Sequence, residues 1–452
     1  MAPDAPAPEV EEPFSAEELR EGWSLFDSEE RSAAFHLLPR LVAEDFFLEL
    51  PAADRAQLVL ALPPSERRSW LRLLAPDDAA DLLQAVPPEE RPGLIALLDE
   101  VTQKDVAGLL AFAEDHAGGL MNPRYARVRP DMSVDEAVVY LRKIAREHLG
   151  TFYYAYVLDQ ESLLLGVVSL RELFIAPSDK KVRDVMQTDL VKADETMDQE
   201  ALGRLFAQHN LVAIPIVDAQ GRMKGVVTVD DIVDVVQEEA TEDIQKMGGL
   251  QALDAPYLQT GFWKMVKKRA GWLAILFLGE TLTATALGYY QGRIDQAGEQ
   301  AAFLMLLFLP LIISSGGNSG SQATTLVIRA LALGEVKLKD WWHVIRREIF
   351  SGLALGSVLA AIGFVRIVLW AAFGWNTYAH HPVLVGLTVA VSLIGVVTWG
   401  TIAGSMLPFI LKRLGFDPAS ASAPFVATLV DVTGLVIFFS VATWMLFPAL
   451  TG

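Results

Sequence analysis

The chain contains no cysteine. Disulfides and thiolate metal sites are therefore excluded. Positive charge is also short: 37 Lys and Arg stand against 56 Asp and Glu, for a net charge of −19. An acidic surface of this kind repels nucleic acid and attracts cations. The metal-binding patterns of hydrolases, the Walker A loop and the nucleophile elbow are all missing. Neither an enzyme nor a primary ATPase is expected. The N-terminus lacks a basic-then-apolar leader. Residues 1–13, rich in Pro, Ala and Glu, are expected to be a disordered tail.

What is present divides sharply. Hydrophobic residues make up 52% of the chain, yet 21% is charged. Residues 268–452 hold 11 basic and 8 acidic residues, and residues 1–267 hold the other 26 and 48. The acidity, a balance of −22, belongs to the first part. Five apolar stretches occupy the second, at about 271–292, 301–333, 350–375, 383–411 and 424–447. Each is long enough to cross a bilayer. The flanking basic residues set the orientation. Lys264, Lys267, Lys268 and Arg269 precede the first span, Lys337, Lys339, Arg346 and Arg347 follow the second, and Lys412 and Arg413 follow the fourth. By the positive-inside rule the N-terminal part is cytoplasmic, in a multi-pass protein of the cell (inner) membrane.

The last span contains Ala427-Thr428-Leu429-Val430-Asp431-Val432-Thr433-Gly434. A carboxylate at that depth costs about 2.5–3.5 kcal/mol on insertion scales and commonly faces water or a partner. Asp431 is either paired with Arg329 or Arg366, or it is an ion ligand in a pore. The second span contains Pro310 and Ser314-Ser315-Gly316-Gly317-Asn318-Ser319-Gly320-Ser321-Gln322. Such a run allows a broken helix with freed carbonyls, or close helix packing.

Upstream, prolines recur at Pro51, Pro63, Pro76 and Pro87, most followed by polar and then apolar residues. Proline suits the first turn of a helix. Residues 14–118 are thus expected to be short helices stacked in a superhelix. Asp77 and Asp81 share a helical face with no cation between them, a repulsive placement unless an ion sits there. Residues 119–245 hold a duplication: Gly166-Val167-Val168-Ser169-Leu170-Arg171-Glu172-Leu173 returns as Gly225-Val226-Val227-Thr228-Val229-Asp230-Asp231-Ile232. With strands near Tyr153–Leu158 and Val212–Val217, and helices near Val134–Ile144 and Gln199–Gln208, this resembles a tandem pair of cystathionine-β-synthase (CBS) domains. Such pairs bind adenine nucleotides or ions, so ATP is an implied ligand. Tyr153, Tyr154 and Tyr156 could stack on its base or belong to a strand's core. The module ends in an acidic run, Asp230 to Asp243, and residues 246–268 are expected to form a connecting helix before a membrane domain at 269–452.

Helical N domain, CBS pair, connecting helix and five spans with these two motifs together resemble the MgtE family of magnesium channels and transporters. The resemblance covers nearly the whole chain. It implies a homodimer in a lipid bilayer, with a pore between the second and fifth spans of the two subunits. It implies that Asp431 and the carbonyl of Ala427 hold hydrated Mg²⁺. Mg²⁺ dehydrates reluctantly, and oxygens that touch its water shell suit it. It further implies that cytoplasmic Mg²⁺ closes the pore by binding at Asp45, Asp77, Asp81, Asp198, Glu200, Asp231, Asp234, Glu239, Glu242 and Asp243. The chain departs from the family pattern at Ser321 and Ala423, where relatives carry Asn, and at Asn210, where they carry an acidic residue. Competing readings are a transporter of Co²⁺ or Mn²⁺, a CBS-regulated anion or osmolyte transporter, and a non-conducting Mg²⁺ sensor. The role of Glu280, in the first span, is open.

Overall fold

The computed structural model describes residues 15–448 apart from 24, 148–152, 254–256, 258–259, 298 and 375–380. The expected tail at 1–13 and the connector's Pro256 lie outside the described residues. Chain contacts define two compact units, Met1–Glu238 and Glu239–Gly452.

The first unit opens with short helices: α1 (Ala16–Gly22), α2 (Ser28–His36), α3 (Arg40–Glu49), α4 (Ala52–Ala61), α5 (Pro64–Leu71), α6 (Pro76–Ala85), α7 (Arg91–Ile95), α8 (Glu100–Leu109) and α9 (Ala117–Leu120). Pro51 and Pro63 are N-caps and Pro76 sits in the first turn. Pro87 instead opens a turn closed by the Glu90 N–H on its carbonyl. A second device repeats with the prolines. The guanidinium groups of Arg55, Arg67 and Arg91 donate to the carbonyls of Leu50, Leu62 and Val86, each five residues back. Each arginine thus satisfies a carbonyl left over at a helix end. Phe35, Phe46, Phe47, Leu58, Trp70 and Leu82 pack beneath these joints.

The duplicated module follows, with β1 (Arg127–Val128), α10 (Val134–Glu147), β2 (Tyr154–Leu158), β3 (Leu164–Ser169) and α11 (Leu170–Ile175) in its first half. Its second half has β4 (Ala193–Asp194), α12 (Gln199–His209), β5 (Ala213–Val217), β6 (Met223–Thr228) and α13 (Val229–Met247). Both sheets have one parallel and one antiparallel pairing, β1-β2-β3 and β4-β5-β6. The halves exchange their leading segments. Asn122 pairs with Val226, while Gln187 pairs with Val167. Gly166 and Gly225 permit this, because a Cβ at either would fall under 3.0 Å from the crossing segment.

The second unit holds five helices long and apolar enough to cross a membrane: α14 (Phe262–Ala297), α15 (Glu299–Ala332), α16 (Trp341–Ala372), α17 (Pro382–Arg413) and α18 (Ala423–Met445). α17 packs against α15, α16 and α18. One sequence expectation is redrawn here, and one pair of alternatives is decided. Among the described residues, no single helix spans 246–268. α13 stops at Met247, Gly249 takes a left-handed φ of +75°, and the Leu250 N–H closes on the Gln245 carbonyl. Paired glycines end a helix in this way, since only Gly adopts that conformation without strain. The next helix is α14 itself, starting at Phe262. Of the two alternatives for the second span, close packing is found: α15 runs unbroken through Pro310 and the Ser/Gly run.

The glycines serve close approach instead. A Cβ on Gly400 would lie 2.4 Å from the Gly316 carbonyl oxygen, and one on Gly404 would lie 2.2 Å from that of Gly320. Small residues four apart on facing helices let their backbones touch. Thr324 fastens the contact, its hydroxyl donating to the carbonyls of Gly404 and Gly320 at 2.8 and 3.0 Å. Gly404→Ala is therefore expected to destabilise the membrane domain by at least the ~1–3 kcal/mol typical of overpacking. Thermal denaturation in detergent checks this, and an unchanged midpoint would mean that α15 and α17 do not meet through backbone.

Candidate functional site

Two carboxylate-bearing sites stand out, one in each unit. In the membrane helices, the Gly317 and Ala427 faces of α15 and α18 meet. A Cβ on Gly317 would lie 3.5 Å from the Ala427 backbone and 3.7 Å from Asp431 Oδ1. The glycine thus leaves space beside the carboxylate. Asp431 is half-buried, and no ion pair joins it to Arg329 or Arg366 among the described residues. Arg366 lies over the Trp370 ring, 5.5 Å from its centroid. The charge that acts on Asp431 is another carboxylate, Glu280. α14 brings it near by crossing α18 at Gly279, where a Cβ would lie 3.0 Å from the Thr428 methyl. Two of the three positions that depart from the resemblance touch each other, the Ser321 hydroxyl donating to the Ala423 carbonyl at 3.2 Å.

In the first unit, Asp77 and Asp81 on α6 face Asp231 on α13, with Asp78 and Glu114 beside them. Asp77 is only 9% exposed and accepts a hydrogen bond from Asn122 Nδ2 at 3.1 Å. Asp78 is paired with Arg55 at 2.6 Å. Asp231 accepts from the Thr228 hydroxyl at 2.9 Å. Burial, and next the Asp231 charge, pushes the Asp77 carboxyl well above its ordinary range. Burial, then Asp78 and Asp231, pushes Asp81 up to about 7. Burial, then Asp230, does the same to Asp231. Buried carboxylates that face one another resist ionising together.

Other expected ligands are placed differently. Asp45 is exposed on α3. Asp198 caps α12, accepting from the Glu200 and Ala201 N–H groups at 3.0 and 3.2 Å. Glu200 pairs with Arg204 at 2.6 Å. Asp234 is exposed on α13, and farther along it Glu242 pairs with Lys246. Glu239 and Asp243 lie on the same helix. Among the described residues, no three Asp, Glu or His side chains converge to hold a bare metal ion. Asn210 ends α12 in the left-handed conformation, φ 50° and ψ 45°, which Asn tolerates better than most residues. Tyr156 is buried and packs edge-on against Tyr125, so it belongs to the core, whereas Tyr153 is exposed. Glu114 and Asn122 were not anticipated, because nothing local marks an acid after a turn or an amide before a proline.

Comparisons with known proteins follow the same division. Residues 15–115 match the family described as the MgtE intracellular N domain. Residues 117–179 and 182–238 match the CBS domain, and residues 309–441 match MgtE, a divalent cation transporter. The magnesium transporter MgtE of Thermus thermophilus is 40% identical over 350 residues, 77% of this chain and 74% of that protein. That of Bacillus subtilis is 32% identical over 349 residues, covering 77% and 74%. The crystal structure of the cytosolic domain of the Mg²⁺ channel MgtE in complex with ATP aligns at 38% identity. It covers 50% of this chain and 92% of that one, with a TM-score of 0.46.

Proposed function

The chain belongs to the MgtE family of magnesium transporters, and from that membership we propose that it is a homodimeric Mg²⁺ channel that imports the ion. Asp431 carries the reading. It is a membrane-depth carboxylate without a cationic partner among the described residues, set beside the space left by Gly317. A hydrated divalent cation fits such a place, with the Ala427 carbonyl as a second oxygen one turn away. An anion or osmolyte pathway would be opposed by the same charge. With the N-terminal part cytoplasmic, the membrane potential drives a doubly charged ion inward, at about 2.3 kcal/mol per charge per 100 mV. In this reading the N domain spans 14–118, the CBS pair 119–245, the connection 246–268 and the pore domain 269–452. ATP at the CBS pair is the second ligand. The test is Mg²⁺ entry into dye-loaded proteoliposomes under an imposed inside-negative potential. Absence of flux from a folded protein would leave the non-conducting sensor. Faster entry of Co²⁺ or Mn²⁺ would change the cargo.

The reading extends to control by cytoplasmic Mg²⁺, with Asp77, Asp81 and Asp231 at its centre. Because no three groups among the described residues converge on a bare ion, Mg²⁺ there would be held through its water shell. Asp45, Asp198, Glu200, Asp234, Glu239, Glu242 and Asp243 complete the proposed set. A pH dependence follows. In the ion-free protein Asp81 and Asp231 sit near 7, above an unfolded value of about 3.9. A raised carboxyl leaves stability intact at low pH, and that stability is lost as pH climbs through about 7. Mg²⁺ reverses the loss, but below pH 7 it must first displace protons. Apparent Mg²⁺ affinity is thus expected to rise between pH 6 and 8, by up to about tenfold per proton and pH unit. Thermal-shift titrations of the full chain check this. A pH-independent midpoint would remove Asp81 and Asp231 from the site.

A further inference from the structure

The acidic run on α13 ends in one cation, Lys246. Its ammonium is bonded to Glu242, one turn earlier, and to Asp417 Oδ2 at 2.7 Å. Asp417 lies 171 residues away, in the turn that links α17 to α18. Its other oxygen, Oδ1, accepts the Ala419 N–H at 2.8 Å and so holds that turn in shape. The contacts next to this pair serve the same join. Met247 packs on Ile328 of α15 and on Ala419 and Ala421. Gly249, left-handed, lies against Trp272 and Pro424, where a Cβ would fall 2.8 Å from the indole. The Trp272 indole N–H donates to Ser422 Oγ at 3.1 Å. Ser422 is fully buried and caps α18. The end of α13, the start of α14, the end of α15 and the start of α18 therefore meet in one joint.

We propose that Lys246 is a tethered cation that latches the end of α13 to the turn before the Asp431-bearing helix, and that the latched state is the closed one. This rests on the reading of the chain as an Mg²⁺-closed channel. α13 is the continuous element from the acidic sensor face to the joint, so a shift of α13 reaches α18 through this ammonium. With the latch fastened, the end of α15 and the turn before α18 are held beside Met247. Mg²⁺ at Glu242 competes with Lys246 for the same oxygens, but Asp417 remains as the ammonium's partner. The latch therefore survives ion binding, and its strength sets how much Mg²⁺ closure needs. Without Lys246, Mg²⁺ itself must bridge Glu242 and Asp417, which demands a higher concentration.

The test is Mg²⁺ flux through the full chain in proteoliposomes against Mg²⁺ on the cytoplasmic side. Lys246→Met and Asp417→Asn are expected to raise the half-inhibiting concentration about threefold to fivefold, the range a partly shielded ion pair supports. Lys246→Arg keeps the charge and should stay at the wild-type value, which distinguishes the ion pair from mere packing. Unchanged inhibition in both Lys246→Met and Asp417→Asn would overturn the proposal. A second arm needs no Mg²⁺ response. The chain has no cysteine, so Lys246→Cys with Asp417→Cys supplies the sole reactive thiols for a short bismaleimide. Linked protein should conduct poorly even without cytoplasmic Mg²⁺, and linked protein that conducts like the unlinked would overturn the latch. If wild-type flux ignores Mg²⁺, the Mg²⁺-closure reading fails by itself, and this arm decides the latch alone.

Discussion

Asp431→Ala is expected to lower Mg²⁺ flux by about a hundredfold or more while raising the thermal stability of the membrane domain. The two effects have one origin. A carboxylate at mid-span costs about 2.5–3.5 kcal/mol relative to apolar residues, and among the described residues no cation offsets it. Its charged neighbour, Glu280, is a carboxylate as well. Removing Asp431 therefore relieves the folded protein. The ion loses its charged ligand, and about 2.7 kcal/mol of lost stabilisation is already a hundredfold. A structural aspartate shows the opposite pattern, with stability lost and flux following it down. Gly317→Ala is the control. The added methyl meets Ala427 and Asp431 at 3.5 and 3.7 Å, ordinary contact distances, so it crowds the carboxylate without disturbing the helices. Flux into dye-loaded vesicles and denaturation midpoints are measured on the same preparations. A folded Asp431→Ala protein with wild-type flux would take Asp431 out of the ion path.

The number of spans was legible because a bilayer demands long apolar helices, and length with hydropathy is enough to find them. The CBS pair was legible because its duplication is written into one chain. Helix ends were harder. The Gly248-Gly249 pair stops α13 just inside the start of the amphipathic connector expected at 246–268, and Lys264 to Arg269 turn out to open α14. The second span left two readings open for a different reason. Gly and Pro break helices in water, but in lipid the same residues are kept inside helices because every backbone group must be satisfied within the segment. Gly316 and Gly320 are there for Gly400 and Gly404, some 80 residues on, and no local pattern announces that pairing. The acidic faces were visible residue by residue, yet their meeting was not. Asp77 and Asp231 are 154 positions apart and are brought together only by folding. Some candidates also have local partners in this structure: Asp198 caps a helix and Glu200 is held by an arginine one turn away. The arginine that follows the prolines at Arg55, Arg67 and Arg91 was in plain sight, but its role depends on carbonyls that only the folded turn exposes.

Replacing Asp231, Asp234, Glu239 and Glu242 together by alanine is expected to leave the channel conducting at Mg²⁺ concentrations that close the wild type, with the half-inhibiting concentration displaced by more than about tenfold. A population shift needs tighter ion binding in the closed state than in the open one, and these four carboxylates are proposed ligands of the closed state. Their removal acts in two directions. Without ions, Asp231 is a buried charge facing Asp77 and Asp81, so its loss relieves repulsion and favours the compact first unit. Loss of its bond from Thr228 works weakly the other way. Glu242→Ala leaves Lys246 wholly to Asp417. Basal flux is thus a mixture of opposed effects, and the Mg²⁺ response is the quantity that separates them. In the proposed reading, Mg²⁺ screens a region with a balance of −22 in the wild type and should protect it from protease at roughly millimolar concentration, where weak carboxylate sites operate. In the quadruple variant the protection should disappear while the fold persists. Wild-type Mg²⁺ dependence of both flux and protection in that variant would make the acidic run of α13 a solvated face and place the sensor on other residues.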